Sequence, residues 1–335
     1  MLNGSYRFKL QMVLFDIKLI ESKIYQTSLT ILITGLLFLT ACDYVKNPVQ
    51  NSATPGPDTG TVIKRKVLVE DYMGHQCGQC PKKARYLHHV LKDSIYHEKL
   101  IALTVHAGFF AITTTSGAHP YPTKLTTADG DSYAVDFGFE PSGPGYPAFM
   151  VNRVSNPSGG YCYSDASSLS GPISAIVGEA ADFKIDLSGI SYDANNNKIN
   201  GLVKIKALKS FSEGSYKMVV LLSEDSIIAE QKDDELGTPP AYYVPNFIHR
   251  DVFRGTIPVN GAATSAAYGT AVFTGTSIAL NQKDSLKIQG FNLVTTNYQP
   301  ALNPAHCTVI AYIYNADVNS PKYYEIYQAE EKKLK

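Results

Sequence analysis

The sequence predicts an α/β domain followed by an all-β sandwich, and three observations carry that expectation. Apolar runs over 66–72 and 100–106 flank a stretch with helical spacing, which is the pattern of a βαβ unit with a parallel strand pair. From about residue 180 the apolar period falls to two, with turn residues between successive runs, as in an antiparallel sandwich. The composition agrees: 18% charged residues, 22 Tyr and no Trp suit a β-rich chain. Each domain is long enough to bury a core of its own.

The chain opens on a leader. Residues 29–41 form an apolar run shorter than the roughly 20 residues a membrane-spanning helix needs. Lys18 and Lys23 precede it, and the length suits the apolar segment of a signal peptide. The run ends in Leu39-Thr40-Ala41-Cys42, and small residues before a Cys resemble the lipobox of bacterial lipoproteins. That resemblance implies removal of 1–41 and acylation of Cys42, so one expected partner is a lipid bilayer and the expected location is the cell envelope, anchored to the outer membrane by lipid. The alternative is an uncleaved anchor helix with an incidental Cys. Met12 is an alternative start. Residues 42–62, rich in Asn, Pro, Ser, Thr and Gly, read as a flexible tether.

Charge excludes one class of partner. Thirty basic and 30 acidic residues balance, no basic run stands out, and nucleic acid needs a basic excess. Five cysteines are too few for a disulfide scaffold, so hydrophobic burial must supply the core.

The first domain is expected over 63–179. After the strand at 66–72, Gly74 breaks the run and Cys77-Gly78-Gln79-Cys80-Pro81 follows. Ala84, Leu87, Val90 and Leu91 then recur at helical spacing, predicting a helix over 81–93. Residues 107–145, rich in Gly, Pro and Thr, read as an irregular insertion with a short helix over 131–137. A third strand is expected at 148–152. Leu169, Ile173, Ile176 and Val177 predict a closing helix. The second domain, 180–335, is read from alternation at Phe183, Ile185 and Leu187 and at Val203, Ile205 and Ala207. Runs at 216–223, 270–280, 285–294, 307–314 and 323–328 follow.

A Cys-x-x-Cys pair has three readings: a redox pair, half of a zinc site, or a structural disulfide. Zinc needs a second ligand pair, which isolated Cys162 and Cys307 do not provide; His75, His88 and His89 are the nearby alternatives. No metal and no other cofactor is therefore expected. The redox reading has a physical basis, because a Cys near a helix N-terminus has its thiolate stabilised by the helix dipole and free N–H groups. A second thiol within reach resolves a mixed disulfide.

The stretch 70–80, Glu-Asp-Tyr-Met-Gly-His-Gln-Cys-Gly-Gln-Cys, resembles the strand–CxxC–helix core of thioredoxins. The resemblance implies that Cys77 attacks, that Cys80 resolves, and that Asp71, six residues before Cys77, assists proton transfer. It also places Pro147, in Tyr146-Pro147-Ala148-Phe149, as the cis-proline that aligns a substrate beside the disulfide. Exported proteins with thiols or disulfides are the implied substrates. Two positions depart from the thioredoxin pattern. Gln76 replaces an aromatic residue, and Pro81 stands where a basic residue is usual. If Pro81 takes the first helical position, Cys80 becomes the N-cap and Cys77 falls outside the helix.

The mature chain as a whole is similar to the twenty-eight-kilodalton outer-membrane-protein family of lipoproteins. The residues that carry this are Val69–Gly74 with the CxxC-Pro, Pro147 with Val151-Asn152-Arg153, the stretch 243–250 (Tyr-Val-Pro-Asn-Phe-Ile-His-Arg), and 311–315 with Gln328-Ala329-Glu330. This resemblance implies a thioredoxin-like domain followed by an immunoglobulin-like domain on a lipid anchor.

Several further motifs carry plainer readings. Cys162 and Cys307 read as two unpaired buried thiols, with an interdomain disulfide as the alternative. Asp193-x-Asn195-x-Asn197 lacks the glycine and closing glutamate of a calcium loop and reads as a hairpin turn. His249-Arg250-Asp251 reads as local structure, and His106 and His119 as structural histidines. Two functional readings stand at this point. One is a membrane-tethered thiol–disulfide oxidoreductase; the other is a non-catalytic adhesin or assembly lipoprotein with a structural disulfide.

Overall fold

The computed structural model describes residues 62–334, apart from 93–94, 97, 140–144, 212–213, 239–241, 260–267 and 275–285. The expected leader, Cys42 and the tether up to residue 61 lie outside the described residues, as does the second half of the strand expected over 270–280.

Strand β1 (Val67–Met73) is buried along its whole length. It pairs in parallel with β2 (Leu100–His106) and antiparallel with β3 (Ala148–Val151). Between β1 and β2 runs α1 (Cys80–Leu91). Val67 and Val69 face one core, closed by Leu87 of α1 and by Leu169 and Ile173, which lie at and within α3 (Ser170–Ile176). Leu68 and Tyr72 point the other way, as alternation along a strand requires. The short helix of the insertion, α2 (Ala128–Asp136), starts earlier than its periodicity suggested. Thr127 caps it, its side-chain oxygen accepting from Gly130 N at 3.0 Å.

The boundary expected between 179 and 180 does not divide the described body. Strand β9 (Val252–Thr256) lies parallel beside β2, where Thr104 N donates to the Asp251 carbonyl at 2.8 Å. Next come β6 (Ser215–Glu224), β12 (Cys307–Asn315) and β13 (Ile326–Lys333), giving one sheet in the order β13-β12-β6-β9-β2-β1-β3, with β10 (Thr270–Thr274) on β6. The physical reason lies in β6 and β12, which carry apolar side chains on both faces. Val219, Leu221, Ile310 and Tyr312 enter the core shared with Leu68 and Leu103. Val220, Leu222, Val309 and Ala311 face the opposite way. The ends of the sheet approach each other: Ile326 N donates to the Asn152 carbonyl at 2.8 Å, and Lys66 N donates to Gln328 Oε1.

The outer face of β6 and β12 is covered by a second sheet, β11-β5-β4, formed by β4 (Phe183–Asp193), β5 (Lys198–Ala207) and β11 (Leu286–Val294). Strand β4 alternates buried and exposed residues over its first half, and Phe183, Ile185 and Ile205 fill the space between the layers. The last strand falls three residues later than its expected start, because Tyr324 sits at φ 69° in the preceding turn. A two-stranded ribbon, β7 (Ile227–Lys232) with β8 (Tyr243–His249), stands apart from both sheets. The chain is therefore a mixed-sheet α/β body with a β layer. Among the described residues no helix is long and apolar enough to cross a membrane.

Candidate functional site

A disulfide joins Cys77 and Cys80 in the turn between β1 and α1. The helix begins one residue earlier than the Pro81 argument predicts: Gln79 is the N-cap, Cys80 is the first helical residue, and Pro81 sits in the first turn, where a missing N–H is harmless. Cys77 therefore lies just ahead of the helix. Met73, Cys77 and Cys80 form a small buried cluster, covered by Phe110 and Tyr146. The Tyr146–Pro147 peptide is cis, so Pro147 leads into β3 directly after a residue that touches the disulfide cluster. Gly74 is required by this packing, since a Cβ there would lie 2.3 Å from the Phe110 backbone. Gln76 N donates to the Phe110 carbonyl at 2.9 Å, pinning the turn to the loop over it.

The disulfide is closed from the other side by residues 231–235, at the end of β7. Lys232 N donates to the His75 carbonyl at 2.7 Å, and Asp234 N donates to the Gly78 carbonyl at 2.9 Å. The Gln231 amide nitrogen donates to the carbonyls of Cys77 (3.1 Å), Gly74 (3.4 Å) and Lys232 (2.8 Å). Gln79 Nε2 donates to Asp234 Oδ2 at 3.2 Å. Arg85 of α1 grips Asp233 through two hydrogen bonds, of 2.8 and 3.3 Å, and also bonds Glu235, which Lys82 reaches at 3.2 Å. Hydrogen bonding to Asp233 raises the Arg85 pKa, and hydrogen bonding to Arg85 lowers that of Glu235. The result is that Cys77 is 3% exposed and Cys80 1%.

Asp71 lies on β1 two residues before Met73, on the face that carries the disulfide cluster. It is buried, its Oδ1 has no hydrogen-bond partner among the described residues, and desolvation pushes its pKa up to about 7. Three buried histidines lie on elements that meet near this turn. Burial lowers the pKa of each, that of His106 well below its ordinary value and that of His249 to about 3. His75 Nε2 contacts the Ile112 carbonyl at 3.0 Å, and the His106 and His249 rings meet edge to face at 5.0 Å. His106 is thus part of a buried pair, which its sequence context did not reveal.

Sequence reasoning also missed a buried ion pair. Glu70 points away from Asp71 and accepts two hydrogen bonds from Arg153, at 2.8 and 2.7 Å. Both side chains are fully buried, and the guanidinium lies 4.7–5.1 Å from the rings of Tyr133, Phe137 and Tyr312. Burial opposes the Arg153 charge most strongly, but Glu70 together with Tyr312 and Tyr72 outweighs it and holds the pKa above the ordinary value.

The remaining sites resolve simply. Cys162 and Cys307 are unpaired, and burial pushes both thiols up to about 12. Among the described residues no group of His, Cys, Asp or Glu is arranged to hold a metal. Asp193 Oδ1 accepts from Asn195 N and Asn196 N in the β4–β5 hairpin. His249 ends β8, Arg250 is exposed, and Asp251 turns the chain into β9. His88 is half-buried and His89 exposed on α1, while His119 stacks on Tyr243.

No family model matches the chain, and no curated protein matches it. Among solved structures it is similar to HBP35 of Porphyromonas gingivalis, with 12% identity and a TM-score of 0.55 over 81% of this chain and 76% of that one. Weaker similarities are to a domain of the outer membrane lipoprotein Omp28 from Porphyromonas gingivalis (13% identity, TM-score 0.26, 46% of this chain, 88% of that one) and to Spo0M, a sporulation control protein from Bacillus subtilis (15% identity, TM-score 0.26, 47% and 49%). At such identity, the likeness to HBP35 speaks for a shared fold alone.

Proposed function

We propose that the protein is a lipid-anchored envelope protein whose thioredoxin-like site performs thiol–disulfide exchange on exported polypeptides. The anchor rests on the run at 29–41 and on Cys42. The chemistry rests on one observation above the others, which is Asp71 buried on the disulfide face. A carboxyl raised from 3.8 to about 7 costs the fold about 4 kcal/mol at neutral pH. A structural disulfide gains nothing from that cost, whereas an exchange site uses a group that is half-protonated near pH 7.

In the reaction, a partner thiolate attacks Cys77 Sγ. The new S–S bond forms, the Cys77–Cys80 bond breaks, and the electron pair goes to Cys80 Sγ, which takes a proton from Asp71; Asp71 then regains one from water. A second partner thiolate then attacks its own mixed-disulfide sulfur. Cys77 leaves as thiolate and is protonated from water. Two electrons have passed from the partner to the Cys77–Cys80 pair, and the two protons the partner thiols released to water on ionising balance the two taken up by Cys77 and, through Asp71, Cys80.

A second reading, a scaffold or adhesin with a structural disulfide, is favoured by the burial of both cysteines under residues 231–235. Measurement of the redox potential separates the two. A value between about −120 and −270 mV supports exchange, and one below about −300 mV supports the structural reading.

A further inference from the structure

We infer that residues 231–235 sit in the seat of the exchange partner, and that the partner is an extended polypeptide carrying acidic residues beside its cysteines. This rests on the exchange reading above and names its substrate class.

The contacts of the segment are those an incoming chain would make. Lys232 and Asp234, alternate residues, donate their backbone N–H groups to the carbonyls of His75 and Gly78 on either side of Cys77. Backbone pairing of this kind is how an added strand binds, and it is indifferent to side chains. Selectivity then comes from the rim. The first turns of α1 present Lys82 and Arg85, and the resident segment answers them with Asp233 and Glu235. Arg85 offers a planar fork that takes a carboxylate through two bonds, which a neutral amide cannot reproduce. Asp234 rests on Gly78 with its carboxylate hydrogen-bonded by Gln79 and paired with Lys232. A partner that displaces this segment meets the same two cations and the same two carbonyls. The disulfide thus opens to a polypeptide able to replace Asp-Asp-Glu, while remaining closed to an uncharged chain.

The test compares the full protein with an Asp233→Asn/Asp234→Asn/Glu235→Gln variant. Each is challenged with dithiothreitol and with two dithiol peptides identical except for Asp-Asp-Glu or Asn-Asn-Gln beside their cysteines. Loss of the Cys77–Cys80 disulfide is followed by alkylation and mass. The expected result is faster reduction of the variant by all three reagents. The variant should also prefer the acidic peptide by about threefold or more at low salt, with the preference falling as salt rises. Adding Lys82→Gln and Arg85→Gln should erase that preference. A variant that opens to dithiothreitol yet treats both peptides alike overturns the inference and leaves exchange standing. A disulfide that resists all three reagents in both proteins overturns the inference and the exchange reading together.

Discussion

The carboxylate of Asp234 occupies the space that a side chain at position 78 would need: a Cβ on Gly78 would lie 2.1 Å from Oδ1 and 2.2 Å from Cγ. The obstacle is the end of a half-exposed side chain, so a Gly78→Ala substitution should swing Asp234 away and break its bond to Gln79 rather than unfold the protein. We expect a stability change within about 1 kcal/mol and faster labelling of the reduced Cys77 by a small alkylating agent. Adding Asp234→Ala should restore the stability without restoring the closure. A Gly78→Ala protein that labels at the original rate would show that Asp234 does not shield the site.

Gln231 carries the closure from below. Its amide nitrogen serves the carbonyls of Gly74, Cys77 and Lys232, so Gln231→Leu strips buried acceptors of their donor. We expect a loss of about 1–3 kcal/mol in urea denaturation and faster hydrogen exchange confined to the segments around 74–78 and 231–235. Exchange that accelerates evenly over the whole chain would contradict this local role.

The Glu70–Arg153 pair should behave as a buried ion pair caged by aromatic rings. Glu70→Gln leaves the guanidinium buried without its counter-charge, at an expected cost of about 3–5 kcal/mol. Replacing both residues together with apolar ones of similar volume should cost much less than the single change. Equal losses in the single and double variants would mean that shape rather than charge dominates here.

Acid and base titrations should pull stability in opposite directions. The folded-state pKa of Asp71 is raised, so the folded chain holds a proton that the unfolded chain releases between about 3.8 and 7. Across that window Asp71 removes about 1.4 kcal/mol per pH unit as pH rises, and the loss is complete above about 7. Asp71→Asn should remove this contribution and raise stability at pH 8, leaving the like contribution of buried Asp251, whose pKa is also pushed up to about 7. His249, with its pKa lowered to about 3, does the reverse: the unfolded chain takes up the proton first, so stability falls as pH drops below about 6.5. Equilibrium denaturation of wild type and Asp71→Asn between pH 4 and 8 reads both effects. Parallel curves would refute the placement of Asp71 as a perturbed acid.

Much of the site was legible because its residues are adjacent in sequence. The strand, the Cys-x-x-Cys pair and the helix are local features, and Asp71 and Met73 share a face by alternation alone. The segment that closes the disulfide was not legible, since it lies more than 150 residues from Cys77 and the residue types of β7–β8 (Ile-Ile-Ala-Glu-Gln-Lys and Tyr-Val-Pro-Asn-Phe-Ile-His) do not alternate between apolar and polar. Glu70 and Arg153 were visible as residues but not as partners, for the same reason. Within 180–335, two strands depart from the expected period of two. Met218 to Leu222 and Val309 to Ile313 are continuous apolar runs, which mark strands buried on both faces rather than alternating ones.

The placement of β9 between β2 and β6 has a consequence for how the chain is made. Synthesis delivers the first 180 residues well before 216–256, so β2 waits with a bare edge until its neighbour arrives. In that interval residues 231–235 are also missing, and the Cys77–Cys80 turn stands open to whatever oxidant or partner is nearby. Closure of the site therefore follows formation of the β1–α1–β2 unit. A chain truncated near residue 180 keeps the cysteines and the helix, but it exposes an unpaired strand edge of the kind that drives aggregation.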